Sequence, residues 1–201
     1  PVPDGRLSRG TRGWMVSTMR FWKKLASSLC LVGLLAGCEV LRDQTPGTLH
    51  VREARVVAAS EGPRLEVDLD CQFNGPISDA LEHGIPITLE MRLQASGTQG
   101  EVRDHHQVEL RYFPLTRRYQ LRDKHTGELR SFAAFGYMTD ALAALHLPLR
   151  GEFANLPPGT RLRLDVGLDH AALPGALRLP AMLEPAWRLI APEYVWTVAA
   201  G

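Results

Sequence analysis

Leu65, Val67, Leu69, Cys71 and Phe73 alternate with Glu66, Asp68, Asp70 and Gln72, the period of two that marks a strand with one face buried. The same period returns at Ile87, Leu89, Met91 and Leu93 against Thr88, Glu90, Arg92 and Gln94. It is clearest at Leu162, Leu164, Val166 and Leu168. Leu49 to Val57 reads as an earlier strand whose alternation changes phase between Glu53 and Ala54, as at a bulge. Val108, Leu110 and Tyr112 alternate until Pro114 interrupts them, and Leu115 to Leu121 and Leu129 to Ala133 read as two further strands. A closing strand pair carries Trp187, Leu189, Tyr194 and Trp196.

The punctuation between these runs is equally specific. Asn74 to Gly84 reads as a short helix: Pro76 suits its first turn, Ile77, Ala80 and Leu81 form one face, and Gly84 ends it before Pro86. Thr139-Asp140 can cap a second short helix through His146, with Leu142 and Leu145 inward. Glu61-Gly62-Pro63, Asp123 to Gly127 and Leu156 to Thr160 are turns, Ala95 to Asp104 reads as a polar loop, and Pro174 and Pro180 restrict another. Seven to nine short strands with polar outer faces predict a mainly β protein. The expected architecture is an antiparallel β-sandwich, immunoglobulin-like in outline, with two short α-helices.

Ahead of the strands the pattern changes. Arg20, Lys23 and Lys24 precede an apolar run from Leu25 to Ala36, too short to span a bilayer, and Leu35-Ala36-Gly37-Cys38 closes it as a lipobox. Small residues before Cys38 admit a signal peptidase, and the Cys38 thiol is the nucleophile that takes a diacylglycerol. The alternative is an ordinary signal peptide with an incidental Cys. Residues 15–37 are thus expected to be a lipoprotein signal starting at Met15 or Met19, with 1–14 set aside as an upstream extension. Residues 38–47 are expected to form a tether, and 48–201 a single domain. The expected location is the periplasmic face of a membrane, lipid-anchored; Glu39 after the Cys favours the outer membrane.

This address changes the meaning of the composition. Six of the 23 basic residues and one of the 22 acidic residues precede Cys38, leaving 17 against 21 and a formal net charge of −4 after it. A nucleic-acid partner therefore lacks electrostatic support. The 164 residues from Cys38 onward suffice for one domain burying about 70% of its unfolded surface. With Cys30 in the signal and Cys38 acylated, Cys71 is left unpaired, and its place on an apolar strand face marks it as core filler.

The order of motifs resembles the proteobacterial family known as domain of unknown function 4390. The likeness is carried by Asp79-Ala80-Leu81-Glu82-His83-Gly84-Ile85-Pro86-Ile87, then by Leu110-Arg111-Tyr112 with Leu115-Thr116-Arg117-Arg118-Tyr119. It continues through Ser131-Phe132 with Asp140 to Leu145, and ends with Leu168-Asp169, Leu173-Pro174, Leu177 to Pro180 and Trp187-Arg188-Leu189. The chain departs from the family in the hairpin after the third strand, where Gln94 to Gly100 replaces a segment carrying Arg and Trp. The resemblance implies an exported protein with no assigned catalytic residues, whose relatives are often encoded beside a membrane sensor kinase of the nitrogen-regulation type.

Catalytic chemistry finds no anchor. There is no G-x-S-x-G elbow and no phosphate loop; Asp169-His170 and Asp104-His105 place acid beside base without a nucleophile. The histidines at 50, 83, 125, 146 and 170 are scattered, and His105 and His106 point to opposite faces if they lie on a strand. No cofactor or metal is expected. Arg111, Arg117, Arg118, Arg122 and Arg130 are the one concentration of charge, and Arg111, Arg117 and Arg118 are the candidate binding surface for lipid headgroups or an acidic partner. The bland reading is a solvated face paired with Glu109 and Glu128. Two function classes follow: a non-catalytic module that binds an envelope protein such as a sensor kinase, or a carrier or enzyme acting on envelope lipid or glycan.

Overall fold

The computed structural model describes residues 45–98 and 100–198 within the compact unit Asp43–Gly201. The expected signal, Cys38 and tether residues 39–44 lie outside the described residues. Of the expected tether, Thr45 and Pro46 are exposed coil. Gly47 already packs: a Cβ there would lie 2.8 Å from the Gln72 carbonyl oxygen.

Among the described residues nine strands form two antiparallel sheets. β1 (Thr48–Ala59), β2 (Gly62–Gln72) and β7 (Leu145–Pro148) make the smaller sheet in the order β1-β2-β7. β3 (Ile87–Gly97), β4 (Gly100–Phe113), β5 (Arg118–Asp123), β6 (Leu129–Phe132), β8 (Arg161–Leu168) and β9 (Tyr194–Thr197) make the larger, in the order β6-β5-β4-β3-β8-β9. Their apolar positions form one core, in which Leu65, Ile87, Leu89, Met91, Leu110, Leu162 and Leu164 are fully buried. Each such leucine contributes about 1.5–3 kcal/mol through burial. The architecture is the expected antiparallel sandwich.

α1 (Gly75–Glu82) forms as its punctuation predicts. The Asn74 side chain accepts from the Ile77 N–H at 3.2 Å, Pro76 lies in the first turn, and Ile77, Ala80 and Leu81 are buried. Gly84 follows at φ +79°, a conformation only glycine adopts cheaply. Asn74 also donates to the carbonyls of Thr45, at 2.7 Å, and Ala186, joining the incoming chain, the helix and a late loop. The starts of β1 and β3 and the ends of β2, β4 and β8 therefore gather at one end of the sandwich, here the entry end.

Several expectations need correction. Among the described residues there are three α-helices rather than two. α2 (Phe135–Leu142) begins earlier than a cap at Thr139 would allow, because Phe135 packs against Phe73 and Tyr119 and because Met138 and Leu142 continue its buried stripe. Leu145 and His146 belong instead to β7, where Leu145, Leu147 and Leu149 alternate inward. The third helix, α3 (Gly175–Leu183), contains Pro180, whose carbonyl still accepts from the Glu184 N–H at 2.8 Å. Pro174 sits at its N-cap, where a missing N–H costs nothing.

The segment read as a polar loop is the extended arm of the β3–β4 hairpin, paired out to Gly97 and Gly100. The β1 irregularity falls between Val51 and Glu53, slightly before the expected phase change. Residues 114–117 form the turn into β5, which starts at Arg118 rather than Leu115. Only β9 remains of the closing strand pair. Trp187 lies in a short 3-10 turn, Pro185–Trp187, and buried Leu189 accepts from the Leu168 N–H at 2.8 Å.

Candidate binding surface

Alternation along β3, β4, β5 and β8 turns one set of side chains out from the larger sheet. On most of that face each guanidinium has a carboxylate two residues along its own strand: Arg92 meets Glu90 at 2.7 Å, Arg103 meets Glu101, and Arg163 meets Asp165 at 3.1 Å. The smaller sheet follows the same habit across strands, Arg52 meeting Asp70 at 2.7 Å and Arg55 meeting Glu66 at 2.6 Å.

The β4–β5 side differs. Among the described residues no carboxylate comes within 4.0 Å of Arg111, Arg117, Arg118 or Arg122, so the expected pairing with Glu109 and Glu128 does not form. Arg111 lies over the Phe113 ring, 4.9 Å from its centroid. Arg118 donates to the Ser131 hydroxyl at 3.1 Å and the Ser131 carbonyl at 3.0 Å. Cross-strand register places Gln120 opposite Arg111 and Arg122 opposite Glu109. Glu109, Arg111, Phe113, Gln120, Arg122 and Leu129 line a groove of about 240 Å³.

The structure thus brings together two of the three predicted arginines. Arg111 and Arg118 share the outer face and are joined there by Arg122, while Arg117 closes the β4–β5 turn at φ +50°. Arg130, opposite Leu121, turns to the inner side.

That inner side opens into a cleft of about 400 Å³ at the free edge of β7, where the smaller sheet stops short of β5 and β6. Val108, Leu121, Leu145 and Leu147 form its apolar wall, and Arg64, Glu128 and Arg130 are among its charged groups. Above it, Asp123 accepts from the N–H groups of His125, at 2.7 Å, and Thr126, at 3.2 Å, fixing the β5–β6 turn.

Deeper in the sandwich, His105 and His106 point to opposite faces. His105 reaches Glu90 at 2.9 Å, whereas His106 is 1% exposed and neither ring nitrogen meets a hydrogen-bond partner. Burial pushes the His106 imidazole below its ordinary pKa, with Asp104 and Asp123 pulling the other way. Asp104 is committed to the N–H groups of His105, at 2.8 Å, and Arg150, at 2.9 Å. The period of β4 puts Asp104 and His106 in phase with Val108 and Leu110, which was the available signal; reading the arm as a loop hid it.

Asp169 caps the 3-10 turn His170–Ala172 and accepts from Gln107 at 2.6 Å, so it is a structural residue. Burial, with the charge of Asp70 beside it, pushes the Cys71 thiol up to about 12. Among the described residues no three His, Cys, Asp or Glu side chains gather as a metal site would require, and no helix is long and apolar enough to cross a membrane.

A family model described as Domain of unknown function (DUF4390) matches residues 47–197. Comparison with curated proteins and with solved structures finds no match.

Proposed function

The chain belongs to the DUF4390 family, and from that premise we propose that it is an exported, lipid-anchored envelope protein whose sandwich is a non-catalytic protein-binding module. Cys38 bears the anchor, and the partner is an acidic envelope protein such as the extracytoplasmic part of a sensor kinase. One observation carries the reading: Arg111, Arg118 and Arg122 stand together without carboxylates on a face where Arg92, Arg103 and Arg163 are each paired. The groove beside them adds an aromatic ring and Leu129, 54% exposed. A carboxylate next to an apolar side chain is the complementary ligand, and electrostatic complementarity of this kind sets encounter rate and specificity.

Crosslinking in intact envelopes, read by mass spectrometry, tests it. Arg111→Glu with Arg118→Glu is expected to lose the partner, with the remaining yield sensitive to salt, while Cys38→Ala moves the protein from the membrane to the soluble fraction. An unchanged crosslink removes this surface, and a membrane-bound Cys38→Ala variant removes the anchor.

The β7 cleft supports the second reading, a carrier or enzyme for envelope lipid or glycan, because it joins an apolar wall to charged groups between the sheets. Filling it with Leu147→Trp leaves the crosslink intact under the first reading and abolishes function under the second.

A further inference from the structure

The entry end carries side chains that a water-facing surface does not need. Leu115, in the β4–β5 turn, is fully exposed, and Arg117 closes that turn in a left-handed conformation that glycine usually takes. Gly84, just past α1, lies against the base of the same hairpin: a Cβ there would sit 3.5 Å from the Tyr112 carbonyl oxygen and 3.7 Å from Pro114 Cδ. Across the same end, α3 buries Ala181 and exposes Leu179, Met182 and Leu183, at 66%, 71% and 74%. Their spacing of three and four places them on one stripe. Clustered exposure of this kind marks a contact surface.

We infer that the entry end is a bilayer-contacting face, in which Leu115 and the Leu179, Met182 and Leu183 stripe enter the headgroup boundary and Arg117 meets lipid phosphate. The direction of the inference rests on the lipid-anchored reading above. Six residues separate Cys38 from Thr45, a span of at most about 24 Å even when fully extended. Asn74 fixes Thr45 to the same end as the exposed groups. A domain held on so short a leash meets the membrane at high effective concentration, so weak contacts suffice. Asp79, Glu82 and Glu184 are exposed at this end too. Arg178 and Arg188 are exposed there as well, so charges of both signs mix at this end and apolar insertion supplies the larger share.

The test uses the anchor-free chain from Glu39 onward, whose core cluster lies wholly between Leu49 and Ala191. An environment-sensitive dye is placed by Leu115→Cys at the entry end or by Thr126→Cys at the opposite end; buried Cys71 stays unlabelled. On vesicles of phosphatidylethanolamine and phosphatidylglycerol the dye at 115 is expected to brighten and shift to the blue, and the dye at 126 to stay unchanged. Leu179→Asp with Met182→Asp is expected to lower the vesicle-bound fraction about tenfold or more, with an unchanged thermal melt. No emission change at 115, or an equal change at 126, overturns the inference. So does a Leu115→Asp variant that loses an envelope crosslink but keeps its vesicle binding, which assigns the face to a protein. Because the chain tested carries no lipid, failure here leaves the anchor standing, and failure of Cys38→Ala to leave the membrane leaves this result standing.

Discussion

The two ends of the sandwich are built by different means. At the end away from the chain's entry, buried carboxylates hold the loops: Asp104 accepts from the Arg150 N–H and Asp123 from those of His125 and Thr126. The Thr160 hydroxyl likewise donates to the Pro157 carbonyl at 2.7 Å. At the entry end Asp169 caps one short turn, but a capped helix and one asparagine do most of the joining, while leucines, a methionine and unpaired arginines face outward. Polar groups that are fully engaged in holding loops have no capacity left for a partner. The end with unengaged groups is where a partner is to be sought.

The largest expected effect falls at the far end. Asp104→Ala leaves the partly buried His105 and Arg150 N–H groups without their partner and is expected to cost about 2 kcal/mol in urea denaturation. A loss below about 1 kcal/mol removes the distinction between the ends.

His106 gives the next, and its sign is fixed. Its folded-state pKa lies below the ordinary value, so the native protein holds the ring neutral. The unfolded chain binds a proton below about pH 6.5. Stability is therefore complete above that pH and declines as pH falls below it. Thermal melts are expected to show this decline in the wild type and a shallower one in His106→Leu.

Arg117→Gly removes a left-handed side chain and is expected to stabilise the fold by about 1 kcal/mol while weakening vesicle binding, so stability and contact move in opposite directions. The smallest change is expected from Leu183→Asp, within about 0.5 kcal/mol in the same denaturation. A large loss there means that α3 packs its stripe inward, which sinks the contrast.

Much of the sandwich was legible because burial of one sheet face writes a period of two into β2, β3 and β8, and because Asn74, Pro76 and Gly84 punctuate α1. Failures came where local rules were overridden. α3 holds Pro180 and follows Pro174, yet Pro174 sits at the N-cap, where its N–H is dispensable, and Pro180 is accommodated within a short exposed helix. The β3–β4 arm reads as a loop because Asp104 and His106 occupy inward positions that a strand usually gives to apolar residues. α2 lacks a capping side chain, and its start is set by Phe135 meeting Phe73 and Tyr119 from distant strands. The surface was legible as a cluster of arginines but not as a pattern of pairing, since pairing depends on neighbours that only the folded sheet supplies.

The place of β3 has a consequence for the order of events during folding. Its partner on one side, β4, follows through a tight hairpin, but its partner on the other, β8, pairs Arg161 with Ser96 and Leu168 with Leu89, some 65 to 80 residues later. Closing so long a loop is entropically slow to reward. Until β8 docks, β3 presents an open row of backbone donors and acceptors at what becomes the middle of the larger sheet. Glu90, Arg92 and Gln94 along that strand keep the waiting edge charged and polar, which protects a partly folded chain from pairing with its neighbours.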